Sequence, residues 1–246
     1  MSEFRFSIGI TAVPERVDML QAAVARLREV APGIKIDAYM DHGRVGVLRN
    51  TLRAFRDTYG LPYRMVIQED VAVCLDFGAA VERMIDSLRT RHDTFIVGLY
   101  SNSSDIARKG QVAPLVYTWD MWGVCNLYAS AVLPHLEAFA MQYERMGSTP
   151  LIPDRDYAKR PDGTRGLTLD SWPPVYCKMV GVPMFATFPS LVQHIGGLRS
   201  ALGHKFDPAK GKNISHYYIG TNTSALTVDW SVLPPARAIK AQLGAV

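Results

Sequence analysis

Glu69 and Asp70 are adjacent carboxylates set directly after an apolar run, in Tyr63-Arg64-Met65-Val66-Ile67-Gln68-Glu69-Asp70-Val71. The turn signal Gly60-Leu61-Pro62 bounds the run upstream, so its length and residue types predict a buried strand over residues 64–67 rather than a helix. In open α/β sheets, ligands gather beyond the carboxyl ends of the strands, which is where this pair falls. Two carboxylates there can hold a hard divalent cation, and such a cation can clamp a diphosphate. The plainer alternative is that two acids end a strand and face water. The neighbouring segments bear on that choice.

Residues 5–11 read as a first strand, followed by the turn Ala12-Val13-Pro14-Glu15-Arg16. Val17, Leu20, Val24 and Leu27 recur at helical spacing and predict an amphipathic helix that ends before Pro32-Gly33. Residues 34–40 form a second strand closing on Asp41, residues 45–58 a helix, and the acid-tipped strand follows. Val81, Met84, Ile85 and Leu88 mark a third helix, and residues 94–100 a fourth strand. This alternation predicts an α/β fold, a Rossmann-like αβα sandwich with a mainly parallel central sheet. Beyond Tyr100 the spacing predicts a polar loop over 101–118, a strand near 122–127 and a helix over 130–143. A Pro- and Gly-rich loop over 147–166, a helix over 169–180, an extended segment over 184–188 and an irregular tail with a short helix near 236–243 complete the chain.

Of the 246 residues, 48% are hydrophobic and 20% charged, which suits a folded domain with a sizeable core and excludes a disordered chain. No apolar run reaches membrane-spanning length, and the first residues lack the apolar segment of a secretory signal, so a soluble, cytoplasmic protein is expected. Cys74, Cys125 and Cys177 are far apart and lack paired metal spacing; reduced, packed thiols are expected. A net charge of +4 permits a polyanionic partner, although no Lys/Arg stripe demands one. No Gly-X-Gly-X-X-Gly follows the first strand, which disfavours a dinucleotide oxidoreductase. Nucleotidyl transfer is disfavoured because the first loop lacks a Gly-rich, basic phosphate cradle.

Four short stretches stand in an order that resembles glycosyltransferases of the GT-A fold. Ile10-Thr11-Ala12-Val13-Pro14-Glu15-Arg16 resembles their nucleotide-entry turn, and Gly46-Val47-Leu48-Arg49-Asn50 resembles the Arg-Asn segment on the helix before the metal-binding strand. Gln68-Glu69-Asp70-Val71 resembles their acidic metal motif, commonly Asp-X-Asp or Glu-Asp-Asp. Pro189-Ser190-Leu191-Val192-Gln193-His194-Ile195-Gly196, with Ser200 and Leu202 behind it, resembles a late segment of N-acetylglucosaminyltransferases that ends in a metal-site histidine. Each motif is short and unspecific; their shared order across residues 7–202 carries the resemblance.

The resemblance implies one GT-A-like catalytic domain over 1–203, with a nucleotide-sugar-binding half (1–100), an acceptor half (101–203) and a tail or lid (204–246). It implies metal-dependent, inverting transfer from a nucleotide-diphosphate sugar, a UDP-sugar first among the donors. Thr11, Ala12 and Pro14 would line the entry turn, Arg16 and Arg49 would face the base or phosphates, and Asp41 would accept from a nucleobase or ribose; ordinary surface pairing is the alternative for the arginines and Asp41. This sequence departs from the motif: Gln68 replaces the first acid and Glu69 holds the middle position. Asp70 alone matches the usual direct ligand, with Glu69 turned to a sugar, a ribose or a metal-bound water. His194 would complete the site, and an imidazole ligand favours Mn2+ over Mg2+; otherwise it is a loop histidine hydrogen-bonded near the surface.

An acceptor hydroxyl must lose a proton, and a positioned carboxylate can take it. Asp170, before Ser171-Trp172-Pro173-Pro174, matches the family's base position and also a helix cap. Asp120, between Trp119 and Trp122, is the second candidate; its aromatic neighbours suit either a sugar platform or a core. A hydroxymethylated base in DNA is one expected acceptor, and a base held in a duplex would first have to be extruded. The alternatives are a cytosolic glycan or glycolipid precursor, or a non-catalytic module that binds nucleotide sugars or nucleic acid.

Overall fold

The computed structural model describes residues 4–146, 157–159, 165–167, 172–195 and 214–235. Its first half runs β1 (Phe6–Ala12), a 3-10 turn (Pro14–Arg16), α1 (Val17–Val30), β2 (Ile36–Met40), α2 (Val47–Ala54), β3 (Tyr63–Gln68), β4 (Val71–Val73), α3 (Phe77–Arg89) and β5 (Ile96–Gly98). Then come α4 (Ser104–Gly110), β6 (Leu115–Tyr117), β7 (Cys125–Ala129), α5 (Leu133–Met146), β8 (Tyr157–Lys159), β9 (Arg165–Leu167), α6 (Trp172–Val180), β10 (Met184–Thr187) and β11 (Val192–His194). Every residue of β1 and of β7 is buried. Because successive strand residues point to opposite faces, burial of both sets means that both faces of the sheet are covered.

Seven strands form the central sheet in the order β2-β1-β3-β7-β5-β10-β6. The α/β architecture matches the alternation in the sequence, and five of the seven strands run in one direction, with β7 and β6 reversed among them. β1 pairs in parallel with β2 and β3, and β5 with β10, whereas β7 lies antiparallel between β3 and β5 and β6 is antiparallel to β10. Doubly buried strands read as continuous apolar runs in either direction, so hydrophobicity carries no record of polarity. β4 pairs with β11, and β8 with β9, as separate two-stranded sheets.

Three expectations are corrected. The polar stretch 101–118 is not a loop throughout: it contains α4, capped by the Ser103 hydroxyl, which accepts from the Ile106 N–H at 3.5 Å, and the edge strand β6. So short a helix buries only Ile106, Ala107 and Gly110, too few positions for a readable period. α2 spans eight residues rather than fourteen positions from 45 to 58. As expected, β3 ends before the acid pair, at Gln68, and Glu69 and Asp70 fall in the turn before β4. Part of the tail is structural: Ala225 and Trp230 join the core, and the Trp230 indole N–H donates to the Ala225 carbonyl at 2.9 Å. The three cysteines are buried and unpaired with one another, as expected. Among the described residues no helix is long and apolar enough to cross a membrane. Most of the 147–166 loop and the helix expected near 236–243 lie outside the described residues.

One buried cation locks the start of β3 to its neighbours. Arg64 is fully buried; its Nε donates to the Ala54 carbonyl (2.7 Å), Nη1 to the Ser7 hydroxyl (3.0 Å) and to Asp37 Oδ2 (3.1 Å), and Nη2 to the Tyr39 hydroxyl (3.0 Å). Tyr39 in turn donates to Asp57. Gly9 makes room: a Cβ there would stand 2.7 Å from Arg64 Nη2. Replacing Arg64 by Met would leave this set of acceptors against an apolar stem. Arg64→Met should lower the unfolding free energy by about 3–5 kcal/mol in urea titrations, the scale of breaking a buried ion pair from one side.

Candidate functional site

The acid turn is held on both flanks. The Glu69 N–H donates to the Thr11 carbonyl at 3.1 Å, and the Gln68 N–H to the Val124 carbonyl at 3.0 Å, so β1 on one side and the entry to β7 on the other fix where β3 ends. The chain then turns into β4, which pairs antiparallel with β11 in a register that sets Val71 opposite His194. The Ile195 N–H reaches back to the Asp70 carbonyl at 2.8 Å. Gln193 ties β11 to the C-terminal segment by donating to the Ser215 carbonyl (2.9 Å) and accepting from its N–H (2.8 Å). Ser190 and Ser215 share a hydroxyl contact at 3.0 Å, and both donate to the Ser101 carbonyl.

These constraints bring Arg16 and His194 onto Asp70. Arg16 Nη1 donates to Asp70 Oδ2 at 2.6 Å and to Glu69 Oε1 at 3.0 Å, while His194 Nε2 stands 3.2 Å from Asp70 Oδ2. Glu69 and Asp70 are only 6% and 5% exposed. Burial is the largest influence on both carboxyls and pushes both up. Glu69 stays above the ordinary Glu value, the Asp70 charge adding to burial and outweighing its own backbone amide and Arg16. At Asp70, the hydrogen bond and charge of His194, followed by Arg16, overcome burial and hold the carboxyl below the ordinary Asp value. Asp70 Oδ1 and His194 Nδ1 are buried with no hydrogen-bond partner among the described residues. Buried polar atoms without partners call for an explanation, and at this lip a bound ligand would supply one.

The other expected residues fall at different depths. Thr11 and Ala12 are buried at the end of β1, where their carbonyls receive Glu69 N–H and Asp41 N–H; Pro14 is exposed at the start of the 3-10 turn that delivers Arg16. Asp41 is buried, and its two oxygens accept from the N–H groups of Val45 (2.7 Å) and Gly46 (3.0 Å), which shapes the entry to α2. Arg49 points to Glu144 at 3.6 Å and is half-exposed. Its neighbour Asn50, quoted above only as part of a motif, is buried and donates to the Tyr39 carbonyl at 2.7 Å, fixing the carboxyl end of β2. Asp120 is exposed on the loop before β7, its N–H held by the Thr118 hydroxyl at 2.9 Å. The tryptophans beside it diverge: Trp119 packs edge-on to Tyr117 (5.3 Å) beneath Lys178, and Trp122 edge-on to Tyr100 (6.1 Å). Asp170 lies outside the described residues.

Chemically, the lip offers a carboxylate oxygen and an imidazole nitrogen without hydrogen-bond partners, backed by a guanidinium and a second acid. Among the described residues no group of three or more His, Cys, Asp and Glu side chains could hold a metal unaided. Asp70 and His194 are two donors, so a cation held there would need its remaining ligands from a bound anion and water. Two surface cavities of about 420 and 300 Å3, one along α3 and one beside β6, share no lining residue with this lip. Compared with models of known protein families the chain matches none, and no curated protein matches it.

The opposed carboxyl shifts predict opposite signs on acidification. As pH falls from neutrality, the folded chain protonates Glu69 before an unfolded chain would, so the folded state gains stability in the window above the ordinary Glu value. The Asp70 contribution is full above the ordinary Asp value and is lost as pH falls through its lowered folded value. In melting temperatures followed against pH, Glu69→Gln should remove the first effect and Asp70→Asn the second. A Glu69→Gln profile parallel to wild type throughout contradicts the assignment.

Proposed function

We propose that this chain is a glycosyltransferase that moves a sugar from a nucleotide-diphosphate donor to an acceptor hydroxyl, with the acid lip as its donor site. The observation that carries the reading is the convergence of His194 on Asp70, with Oδ1 and Nδ1 left buried and unpartnered. Asp70 and His194 would hold the divalent cation, Mn2+ before Mg2+ because of the imidazole. A bound cation there supplies charge neutralisation to the departing diphosphate. Arg16 adds a fork of N–H donors suited to phosphate oxygens. Glu69, held toward its neutral form by burial and by Asp70, is suited to a hydroxyl of the sugar or ribose. Asp170 would take the acceptor proton, with Asp120, exposed on the loop that leads into β7, as the second candidate. Sugar transfer also explains why the acid pair should sit at the carboxyl end of a central strand.

Mn2+ together with a UDP-sugar should raise the melting temperature. At about a hundredfold excess over Kd the stabilisation is about 2.7 kcal/mol, a shift of roughly 5–10 °C for a chain of this size. Asp70→Ala should abolish the metal-dependent part of that shift. A wild-type shift indifferent to metal with every nucleotide sugar counts against the donor site. Asp170→Asn should lower turnover by about 10^2–10^4-fold with donor affinity unchanged, the scale of losing a general base; unchanged turnover removes Asp170 from that role and leaves it to Asp120.

A further inference from the structure

We propose that Arg16 is a tethered counter-ion that must leave Asp70 before a divalent cation can take its place, and that the donor diphosphate then receives it. This exchange rests on the donor-site reading above. Arg16 Nη1 bridges the acid pair, at 2.6 Å from Asp70 Oδ2 and 3.0 Å from Glu69 Oε1, and therefore fills the space between the two carboxylates. A divalent cation bound to Asp70 at an ordinary ligand distance of about 2.0–2.6 Å would share one carboxylate with the guanidinium. Both positive charges would then sit in a nearly buried place with little solvent to screen them. One of them has to move, and the structure assigns the movement to Arg16.

Two features of the fold make that movement feasible. Arg16 ends the 3-10 turn that joins β1 to α1, so its long side chain springs from a connection, not from the middle of a packed element. Asp70 Oδ1 has no partner among the described residues, so an arriving cation can first touch the carboxylate there, but it gains Oδ2 and the space between the acids only once Arg16 has left. The charges also favour a sequence of events. Arg16 already offsets part of the negative charge of the two carboxylates it bridges, which discourages a cation from binding alone. A diphosphate arriving with its cation adds negative charge, and a displaced guanidinium finds there a better partner than the carboxylate it left. The geometry thus points to ordered loading, in which Arg16 suppresses cation binding until the donor arrives.

The test uses Mn2+ alone and then UDP, measured by calorimetry on the full chain. Without nucleotide, Arg16→Gln should bind Mn2+ at least about tenfold more tightly than wild type, the smallest effect expected when a contacting cation is removed from a carboxylate. At saturating Mn2+ the same variant should bind UDP more weakly than wild type. Equal Mn2+ affinities, with binding still abolished by Asp70→Asn, overturn the exchange and leave the donor site standing. No Mn2+ bound by any form, with or without UDP, overturns both. A measurement on the wild-type chain guards against a variant that fails to fold: modification of Arg16 by an arginine-selective dicarbonyl, followed by peptide mass spectrometry. Mn2+ in excess should accelerate labelling of Arg16 and UDP with Mn2+ should suppress it. Labelling that ignores Mn2+ contradicts the exchange.

Discussion

Two adjacent carboxylates, each more than nine-tenths buried, cannot both stay ionised without positive charge brought to them. Two like charges about 4 Å apart repel by about 4 kcal/mol at the effective dielectric typical near a protein surface. Glu69 and Asp70 meet this constraint unequally: Asp70 keeps its charge through His194 and Arg16, while Glu69 is pushed toward its neutral form. Relief has to come from elsewhere in the chain, Arg16 from the turn after β1 and His194 from β11. Three distant segments are thereby obliged to meet at one point, and the local architecture follows from that meeting.

The scaffold is stiff where the site needs it. Arg64 pins the beginning of β3 to β1, β2 and the end of α2, and the acid pair lies at the other end of the same strand. Asp41 and Asn50 shape the neighbouring ends of β2 and α2 through backbone groups, so their polarity is spent on positioning the chain. On the far side, Gln193 and Ser215 exchange two hydrogen bonds beside His194, and the C-terminal segment is anchored further by Trp230 in the core. Against these fixed elements Arg16 reaches the acid pair from the turn after β1.

The acid turn, the first strands and helices and the α/β class were legible because buried strands and amphipathic helices leave clear periods and because acids after an apolar run stand out. The antiparallel entry of β7 was not, since burial on both faces looks alike in either direction. α4 was hidden by its brevity and by its Ser, Asp, Arg and Lys, which read as loop. The meeting of β4 with β11 depends on a long-range pairing of three residues each, which no local pattern records; only the order of motifs hinted that His194 and Asp70 belong together. Gly46-Val47-Leu48-Arg49-Asn50 drew attention to its arginine, whereas in the structure Arg49 turns to Glu144 and the buried Asn50 holds β2. A buried amide looks the same in a sequence as an exposed one, and partner choice among arginines is decided by three-dimensional reach.

Diffraction from crystals soaked with UDP and Mn2+, read at the manganese anomalous edge, tests the central claim most directly. The account predicts one anomalous peak within coordination distance of Asp70 and His194, bridged to the diphosphate, with Arg16 turned from the carboxylate toward the phosphate oxygens. Nucleotide bound elsewhere, with no peak at that lip and Arg16 still seated on Asp70, would contradict it.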